Sequence, residues 1–321
     1  MKAVQFSKPG QAAVVDIDEP KPGPNDVIVR SRRVGICHSD FDLLAGKYIL
    51  PIEYPITPGH EWVGEVAAVG EAVQGFSPGD RVVGECSVAD DQHFGFTING
   101  AMAEYFPVPA AWLHHLPDNC NDTVGALVEP FTVAYAAVGS VDGSDTVAVF
   151  GAGPIGLCAV ATAARKGARV VIVEPDAQRR ETARSLGAEE LVDPAAGDVA
   201  EQIRELTGGR GADALIEASG NPAAMATTLL AAGYGARITN VGINVGNEQP
   251  ARLGLIVEKS LSIRGQVGSV GVWPAALRFL ERTGIDLEPI VSKQFALTDA
   301  LAAFEAAEDR RNNIKVHVAN V

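Results

Sequence analysis

The stretch Gly35–Asp42, GICHSDFD, gathers several chemically active side chains. From Cys37 to Asp42 it holds a thiol, an imidazole, a hydroxyl and two carboxylates, and it directly follows the strand-like run DVIVRSRRV. Three interpretations fit such a stretch: a metal site, a nucleophile, or a polar loop with an incidental cysteine.

Further candidate metal ligands lie downstream. The stretch TPGHEWVGEV brings His60 and Glu61 together beside glycines, and GALVEPF carries Glu129. With Cys37 they offer one thiolate, one imidazole and one or two carboxylates, a reasonable set for catalytic zinc, which takes three protein ligands and keeps one position open. Spacing alone leaves the alternative open, because a lone cysteine is usually a small buried hydrophobe and a lone histidine a satisfied polar group.

A glycine-rich turn forms a second candidate site. VAVFGAGPIG places Gly151, Gly153 and Gly156 after an apolar strand and at the start of a helix. In such a turn one glycine makes the tight bend, one lets the backbone approach a pyrophosphate, and one allows close packing of helix on strand. The helix N-terminus then offers free N–H groups to the phosphates, so the turn predicts a dinucleotide site.

The acidic residue after the next strand bears on cofactor choice. Glu174 ends the run RVVIVEP, where a carboxylate accepts hydrogen bonds from the adenosine ribose and repels a 2′-phosphate. This favours NAD over NADP. Arg179 and Arg180 follow closely, and an arginine there could still pair with a phosphate.

The elements that would position these residues fall into two patterns. The first third has short β-branched runs separated by turn signals such as PGPND and SPGD, which predict an irregular domain of antiparallel strands. From about residue 130, apolar strands alternate with alanine-rich helical segments, which predicts a parallel sheet covered on both faces. We predict an α/β protein with a first domain over 1–132, a nucleotide-binding domain over 133–268, and a segment 269–321 that completes the first domain.

Composition narrows the class of protein. The chain has 321 residues, 47% of them apolar, and a net charge of −14, which argues against nucleic-acid and anionic membrane surfaces. Its four cysteines show no C-x-x-C pairing, and we find neither a signal peptide at MKAVQFSKPG nor a membrane-spanning run. These features predict a cytoplasmic protein in a reducing environment.

Taken together, these motifs resemble the medium-chain dehydrogenase/reductase family, in its zinc-dependent alcohol and polyol dehydrogenase branch. The matching stretches occur in family order along almost the whole chain: VGICHSD, PGHEWVGEVAAVG, GDRVVG, GAMAEYFPVP, ALVEPFTVAYAAV and GAGPIG. The resemblance implies a GroES-like catalytic domain joined to a Rossmann domain.

The resemblance also implies roles for individual residues around a catalytic zinc. Cys37 and His60 match the zinc ligands, and Glu61 matches an acidic residue that can join or leave the metal. Glu129 matches a position that binds the metal directly or through water in sorbitol-, threonine- and glucose-dehydrogenase-like members. Asp40 matches the carboxylate that orients the zinc histidine, and Ser39 the hydroxyl that takes the substrate proton.

On the cofactor side, the resemblance implies a binding surface along the nucleotide domain. The implied residues are Gly151, Gly153, Pro154, Ile155, Gly156, Glu174, Arg179, Ser219 and Val241. His38 matches a position whose basic side chain touches the cofactor pyrophosphate in some relatives; the alternative is an exposed structural imidazole.

The sequence departs from the family at two places. Many relatives continue the proton relay with a histidine where this chain has Asp42, so the relay either ends at solvent or uses that carboxylate. Many relatives also bind a structural zinc with four closely spaced cysteines, whereas the segment between Gly84 and Ala101 has only Cys86. We therefore expect one catalytic zinc and no structural zinc, with Cys86, Cys120 and Cys158 as structural residues.

The implied function is transfer of hydride between a secondary alcohol and NAD, which yields a ketone. Polyols, sugars, cyclitols and amino alcohols are the expected substrates, and the chain is expected to form a homodimer or homotetramer. Two alternatives remain: a zinc-free quinone or enoyl reductase of the same superfamily, and a non-catalytic nucleotide-binding protein.

Overall fold

A computed structural model describes residues 1–48, 50–89, 92–244 and 246–320. Its strands are β1 (Lys2–Lys8), β2 (Gln11–Asp16), β3 (Asp26–Gly35), β4 (Glu61–Val69), β5 (Arg81–Gly84), β6 (Ser87–Ala89), β7 (Gln92–His93), β8 (Tyr105–Pro109), β9 (Leu113–His115), β10 (Thr146–Phe150), β11 (Arg169–Val173), β12 (Glu190–Val192), β13 (Ala212–Glu217), β14 (Ala232–Asn240), β15 (Ser262–Gly265), β16 (Val291–Ala296) and β17 (Lys315–Ala319). Its helices are α1 (His38–Ala45), α2 (Asp122–Gly125), α3 (Val128–Val138), α4 (Pro154–Arg165), α5 (Ala177–Ser185), α6 (Val199–Leu206), α7 (Pro222–Ala231), α8 (Gly254–Glu258), α9 (Trp273–Thr283) and α10 (Ala300–Glu308).

The first compact unit is built from separate parts of the chain, Met1–Glu129, Trp273–Gly284 and Val291–Val321. Its main sheet has the strand order β16-β17-β3-β4-β5-β9, and β8 pairs with β3 as well. The pairs of β3 with β4, β8 and β17 are antiparallel, whereas β16 and β17 run parallel. β3 therefore organises the sheet, and its apolar side chains lie in the core of the unit.

Strand register brings the candidate metal ligands together. Gly35, the last residue of β3, lies opposite Glu61 on β4 and opposite His317 on β17. Cys37 follows the end of β3 and His60 precedes the start of β4, so an antiparallel pair places them side by side. A Cβ atom at Gly35 would overlap the Oε2 atom of Glu61, which explains a glycine at this point of the strand.

The second unit comprises Pro130–Val272 and Ile285–Ile290. Its six strands are all parallel, in the order β12-β11-β10-β13-β14-β15. This is the strand order of a doubly wound dinucleotide-binding sheet, in which the central strands are apolar on both faces. The predicted α/β class, with a β-rich domain and a parallel-sheet domain, is confirmed.

Two details of the second unit could not be read from the sequence. By its residues, the run ARITNVGINV fits either a sheet edge or a central strand; β14 lies between β13 and β15, and β15 forms the edge. Contacts group the short segment Ile285–Ile290 with the second unit rather than with the rest of the tail. No helix among the described residues is long and apolar enough to cross a bilayer.

Candidate functional site

Helix α1 fixes the position of the Cys37 thiol. Cys37 is the N-cap residue, with extended backbone angles, and its N–H donates to Oδ2 of Asp40 at 2.9 Å. An acidic side chain three residues into a helix that reaches back to the N-cap amide is one half of a capping box. Asp40 is fully buried, so the start of the helix is held by a carboxylate that water cannot reach.

The other oxygen of Asp40 faces His60. Its Oδ1 atom lies 3.6 Å from Nδ1 of the imidazole, which is too long for a good hydrogen bond. Both atoms are buried and make no hydrogen bond with any residue that the structure describes. If the two atoms moved slightly closer, the Nδ1–H group could donate a hydrogen bond to Asp40. The lone pair of Nε2 would then be available to a metal, which is the usual arrangement at zinc histidines.

Cys37, His60 and Glu61 form a potential metal-binding group. One ligand atom of each lies within 4.8 Å of the other two, and the histidine and the glutamate are buried. A thiolate, an imidazole and a carboxylate at such distances suit zinc. The donor set, with Nδ1 of His60 facing Asp40 and Nε2 left as the nitrogen ligand, therefore fits the metal that the sequence predicts.

Glu129 lies near this group without belonging to it. The residue is half-buried, and its carboxyl is close enough to His60 and Glu61 for their charges to act on it. Desolvation is the main cause that raises the pKa of Glu129 to about 7, and the carboxylate of Glu61 adds to this effect. A cation at the cluster would favour the charged form of Glu129, so its position suits a direct or water-mediated ligand.

Lys315 is a functional candidate that we did not predict. Its ammonium donates to both carboxylate oxygens of Glu61, at 2.8 and 2.6 Å, and to the carbonyl of Ile36 at 3.0 Å. The Lys315 and Glu61 side chains are only 3% and 2% exposed, so this is a buried ion pair. The signal in the sequence is a lysine inside the otherwise strand-like run IKVHV, which nothing local connects to Glu61.

The buried charges alter the pKa values of these groups. Burial alone would lower the pKa of His60, but Asp40 and Cys37 reverse that effect and place it well above its usual value. Burial would likewise lower the pKa of Lys315, and the charges of Glu61 and Cys37 raise it instead. His60 and Lys315 therefore hold their protons more strongly, and these protons supply positive charge beside the place where a cation would bind.

The other polar residues of α1 are more exposed. Ser39 is half-buried, and none of the described residues hydrogen-bonds to its hydroxyl, which leaves it available to a substrate. His38 is exposed and pairs with the guanidinium of Arg310, whose Nη2 lies 2.8 Å from Nε2 of the imidazole. Desolvation, followed by the charge of Arg310, lowers the pKa of His38, so the imidazole accepts from the arginine in its neutral form.

In the second unit, the glycine turn leads from β10 into α4. Gly151 has a φ of +96°, a region that side chains rarely adopt. A Cβ atom at Gly156 would overlap the carbonyl oxygen of Gly151, whereas a Cβ at Gly153 would meet nothing within 4 Å. Gly153 is the N-cap residue, and Pro154, Ile155 and Gly156 form the first turn. The turn thus leaves the space above Gly153 open, as a pyrophosphate needs.

Glu174 supports this turn from the end of the next strand. Its Oε2 atom accepts from the N–H of Ala152 at 2.8 Å, and Oε1 accepts from the N–H of Asp176 at 3.0 Å. The guanidinium of Arg180 binds other residues of the protein: it pairs with Asp193 at 3.0 Å and donates to the carbonyl of Glu174 at 2.6 Å. Arg179 donates to the carbonyl of Ala152 at 3.4 Å.

Ser219 and Val241 both donate hydrogen bonds to Glu217, the last residue of β13. The Glu217 carboxylate, which is completely buried, accepts from the N–H and the hydroxyl of Ser219 and from the N–H of Gly220. The carbonyl of Glu217 accepts from the N–H of Val241 at 2.7 Å. The two predicted residues thus lie together at the carboxyl ends of adjacent strands, where doubly wound sheets bind their ligands.

Comparisons with known proteins agree with this picture. Residues 154–282 match the family model described as zinc-binding dehydrogenase, and residues 23–118 match the alcohol dehydrogenase GroES-like domain. The chain is 30% identical to a sorbitol dehydrogenase of Bacillus subtilis, over 99% of this chain and 97% of the relative. It is 34% identical to an L-threonine 3-dehydrogenase of Pectobacterium carotovorum, over 95% of both chains.

A solved structure extends the similarity to three dimensions. The 2R,3R-butanediol dehydrogenase of Bacillus subtilis aligns with a TM-score of 0.91 and 30% identity, covering 100% of this chain and 99% of that one.

Proposed function

The chain belongs to the zinc-dependent medium-chain dehydrogenase family, and we propose that within it the protein oxidises a secondary alcohol of a polyol, sugar, cyclitol or amino alcohol to the ketone, with NAD as hydride acceptor. Relatives named for sorbitol, threonine and butanediol support an alcohol or polyol dehydrogenase. The observation that carries the proposal is the grouping of Cys37, His60 and Glu61 within 4.8 Å.

One zinc ion per chain would be held by Cys37 and His60, with Glu61 or Glu129 completing the set. Bound there, zinc would supply the Lewis acidity that makes a substrate hydroxyl easier to deprotonate. Asp40 faces Nδ1 of His60 and so keeps the opposite nitrogen directed to the ion. Both oxygens of Glu61 accept from Lys315, so a Glu61 oxygen that bound the ion would use a lone pair that the ammonium does not occupy.

Ser39 would receive the proton that leaves the substrate hydroxyl. It lies in the first turn of α1, two residues after Cys37, with its hydroxyl partly accessible. Asp42 lies three residues further along, on the same face of the helix. Its carboxylate would accept the proton from Ser39 and pass it to solvent. A bound nicotinamide would supply the hydride acceptor.

NAD is the proposed cofactor, rather than NADP. Its residues would be the turn Gly151–Gly156 with Glu174, Arg179, Ser219 and Val241, and His38 with its partner Arg310 would add positive charge for a pyrophosphate. The carboxylate of Glu174 supports the choice of NAD, because it disfavours a 2′-phosphate and because Arg180 is already paired with Asp193. We expect Glu174→Ala to raise KM for NAD and to narrow the ratio of kcat/KM between NAD and NADP. An unchanged ratio would count against this assignment.

Metal analysis combined with turnover tests the reaction. We expect about one zinc per chain and NAD reduction with at least one member of a panel of polyols and amino alcohols. Cys37→Ser should lose both zinc and turnover, whereas the matched variant Cys120→Ser, at a buried cysteine away from the cluster, should keep both. A zinc-loaded protein inert toward the whole panel, or a metal-free protein with full activity, would refute the proposal.

A homodimer or higher oligomer would form along the edge of the parallel sheet. Strand β15 is exposed over its whole length, and Tyr234, Val257, Val267 and Val270 are large apolar residues exposed in the same unit. An exposed sheet edge with apolar surface is suited to pairing with a second copy. Light scattering should show a multimer that Val267→Asp with Val270→Asp dissociates, while Leu301→Asp in the first unit has no effect. A monomeric wild-type protein would contradict the proposed oligomer.

The remaining assignments concern domains and location. The functional domains would follow the sequence-based boundaries, with 1–132 and 269–321 catalytic and 133–268 binding the cofactor. A cytoplasmic location is supported by cysteines 37, 86, 120 and 158, since no disulfide joins them to one another.

A further inference from the structure

A buried carboxylate lies at the carboxyl end of β13, in the second unit. Glu217 is the last residue of that strand and is completely inaccessible to water. The ion pairs described in this unit use other carboxylates, so no lysine or arginine among the described residues pairs with Glu217. A buried acidic group without a counter-charge is costly, and the proposed reaction has so far given it no role.

Hydrogen bonds from its own loop hold the Glu217 side chain as a carboxylate. Its Oε1 atom accepts from the N–H of Ser219 at 2.9 Å and from the Ser219 hydroxyl, and Oε2 accepts from the N–H of Gly220 at 3.2 Å. The Ser219 hydroxyl accepts from the N–H of Asn221 at 3.1 Å, so its own proton is free to point to Glu217. Desolvation raises the pKa of Glu217, and the hydrogen bonds from Ser219 and Gly220 oppose that rise. Donors on both oxygens favour the charged form over the acid.

Close packing encloses this carboxylate between loops that are proposed to bind the cofactor. A Cβ atom at Gly151, in the glycine turn, would lie 2.9 Å from the Cβ atom of Ser219. A Cβ atom at Gly242, the residue after Val241, would lie 2.6 Å from Oε2 of Glu217. Neither glycine leaves room for a side chain, so the carboxylate lies against Gly242 and its donor Ser219 lies against the pyrophosphate turn.

The strand order indicates which half of the cofactor lies here. Strand β10, whose turn would hold the pyrophosphate, has β11 on one side and β13 on the other. Glu174, after the end of β11, is the residue proposed for the adenosine ribose. A dinucleotide bound across the turn therefore extends its nicotinamide half over the carboxyl ends of β13 and β14, where Glu217 lies.

We propose that the charge of Glu217 strengthens the binding of oxidised NAD (NAD⁺) relative to NADH. The nicotinamide ring is positively charged in NAD⁺ and neutral in NADH, whereas the rest of the cofactor is the same in both. A buried negative charge on the nicotinamide side attracts the oxidised ring alone, and any repulsion of the pyrophosphate cancels in the ratio of the two dissociation constants. This inference rests on the proposed function, because it assumes that the chain binds NAD, and it adds that the site favours the form that oxidises an alcohol.

Calorimetric titration of the zinc-loaded protein with NAD⁺ and with NADH gives both dissociation constants without turnover. Glu217→Gln keeps the shape of the side chain and removes its charge. We expect the ratio of Kd for NAD⁺ to Kd for NADH to rise about three- to tenfold, the order of effect of one partly screened unit charge. Glu217→Asp keeps the charge and shortens the side chain, so it should weaken both forms and leave the ratio within about twofold of wild type.

Two other variants serve as controls. Glu205→Gln removes an exposed charge from α6 in the same unit and should leave the ratio unchanged. Asn221→Asp adds a charge to the loop that follows Glu217 and keeps a capping side chain at the start of α7. It should lower the ratio about twofold, and it tests the proposal even if Glu217→Gln does not fold.

The outcomes separate this inference from the proposed function. An equal loss of affinity for NAD⁺ and NADH in Glu217→Gln is what a purely structural role predicts, and it overturns the role of the charge. A ratio that rises as much in Glu217→Asp as in Glu217→Gln, or that stays at the wild-type value in Asn221→Asp, also overturns it. In each of these cases the proposed function stands, whereas wild-type protein that binds neither NAD⁺ nor NADH overturns the function itself.

Discussion

Replacement of Lys315 by methionine should sharply destabilise the metal-free protein. Methionine fills nearly the same volume but leaves the Glu61 carboxylate buried without its partner. Two hydrogen bonds to Glu61 and one to Ile36 disappear, at a place where both charged side chains are at most 3% exposed. Removal of one partner of a buried ion pair costs about 3–5 kcal/mol, and we expect Lys315→Met to lose an amount in that range.

Urea unfolding followed by tryptophan fluorescence measures this loss where it occurs. All three tryptophans, Trp62, Trp112 and Trp273, belong to the first unit, so the signal follows the unit that contains the ion pair. Chelator-treated protein should show the full loss. Zinc-loaded protein should show less, because a cation beside Glu61 would replace part of the missing positive charge.

Matched variants decide whether the ion pair is the cause. Glu61→Gln added to Lys315→Met removes the unpaired charge and should recover about 2 kcal/mol or more. Lys293→Met, at an exposed position on the neighbouring strand β16, should change stability by no more than about 0.5 kcal/mol. A loss below about 1 kcal/mol for Lys315→Met, or a double variant as unstable as the single one, would refute the reasoning.

Three further predictions concern the same unit. Gly35→Ala should lower both the melting temperature and the zinc content, because its Cβ overlaps Glu61; wild-type values for both would contradict this. Burial, then the charges of Lys315 and Arg33, keeps the pKa of His317 well below its usual value, so only the unfolded chain takes up this proton as pH falls below about 6.5. Stability should therefore fall by up to about 1.4 kcal/mol per pH unit, and urea unfolding between pH 5 and 7 should show a shallower slope for His317→Gln. The pKa of His60 is raised, so zinc must displace a proton, and competition with a fluorescent chelator should show affinity weakening by up to about tenfold per unit from pH 8 to 6; a flat profile would exclude this displacement.

The features that could be predicted from the sequence are those that depend on residues close together along the chain. The turn at Gly151 requires glycine at fixed offsets, and continuous apolar strands between helices indicate a parallel sheet, so both could be found without a structure. Cys37, His60 and Glu61 were candidates by residue type, and the pairing of β3 with β4 then explains their proximity.

The features that escaped prediction depend on long-range contacts. Lys315 and Glu61 are separated by 254 positions, and no periodicity connects them. Glu217 resembles any acidic residue at the end of a strand, and only the structure shows that its carboxylate accepts from Ser219 and Gly220. The edge and the interior of a parallel sheet have similar apolar sequences, which is why β14 could not be distinguished from an edge strand.

The discontinuity of the first unit has a consequence for biogenesis. Cys37 and His60 are synthesised early, but β17, which carries the counter-charge for Glu61, follows only after the whole second unit has been translated. If the inserted unit folds first, it brings the two ends of its own segment into fixed positions and reduces the entropy lost when β17 joins β3. Until then the nascent chain exposes a thiol, an imidazole and an unneutralised carboxylate to any metal in its surroundings, so early metal capture competes with the completion of the sheet.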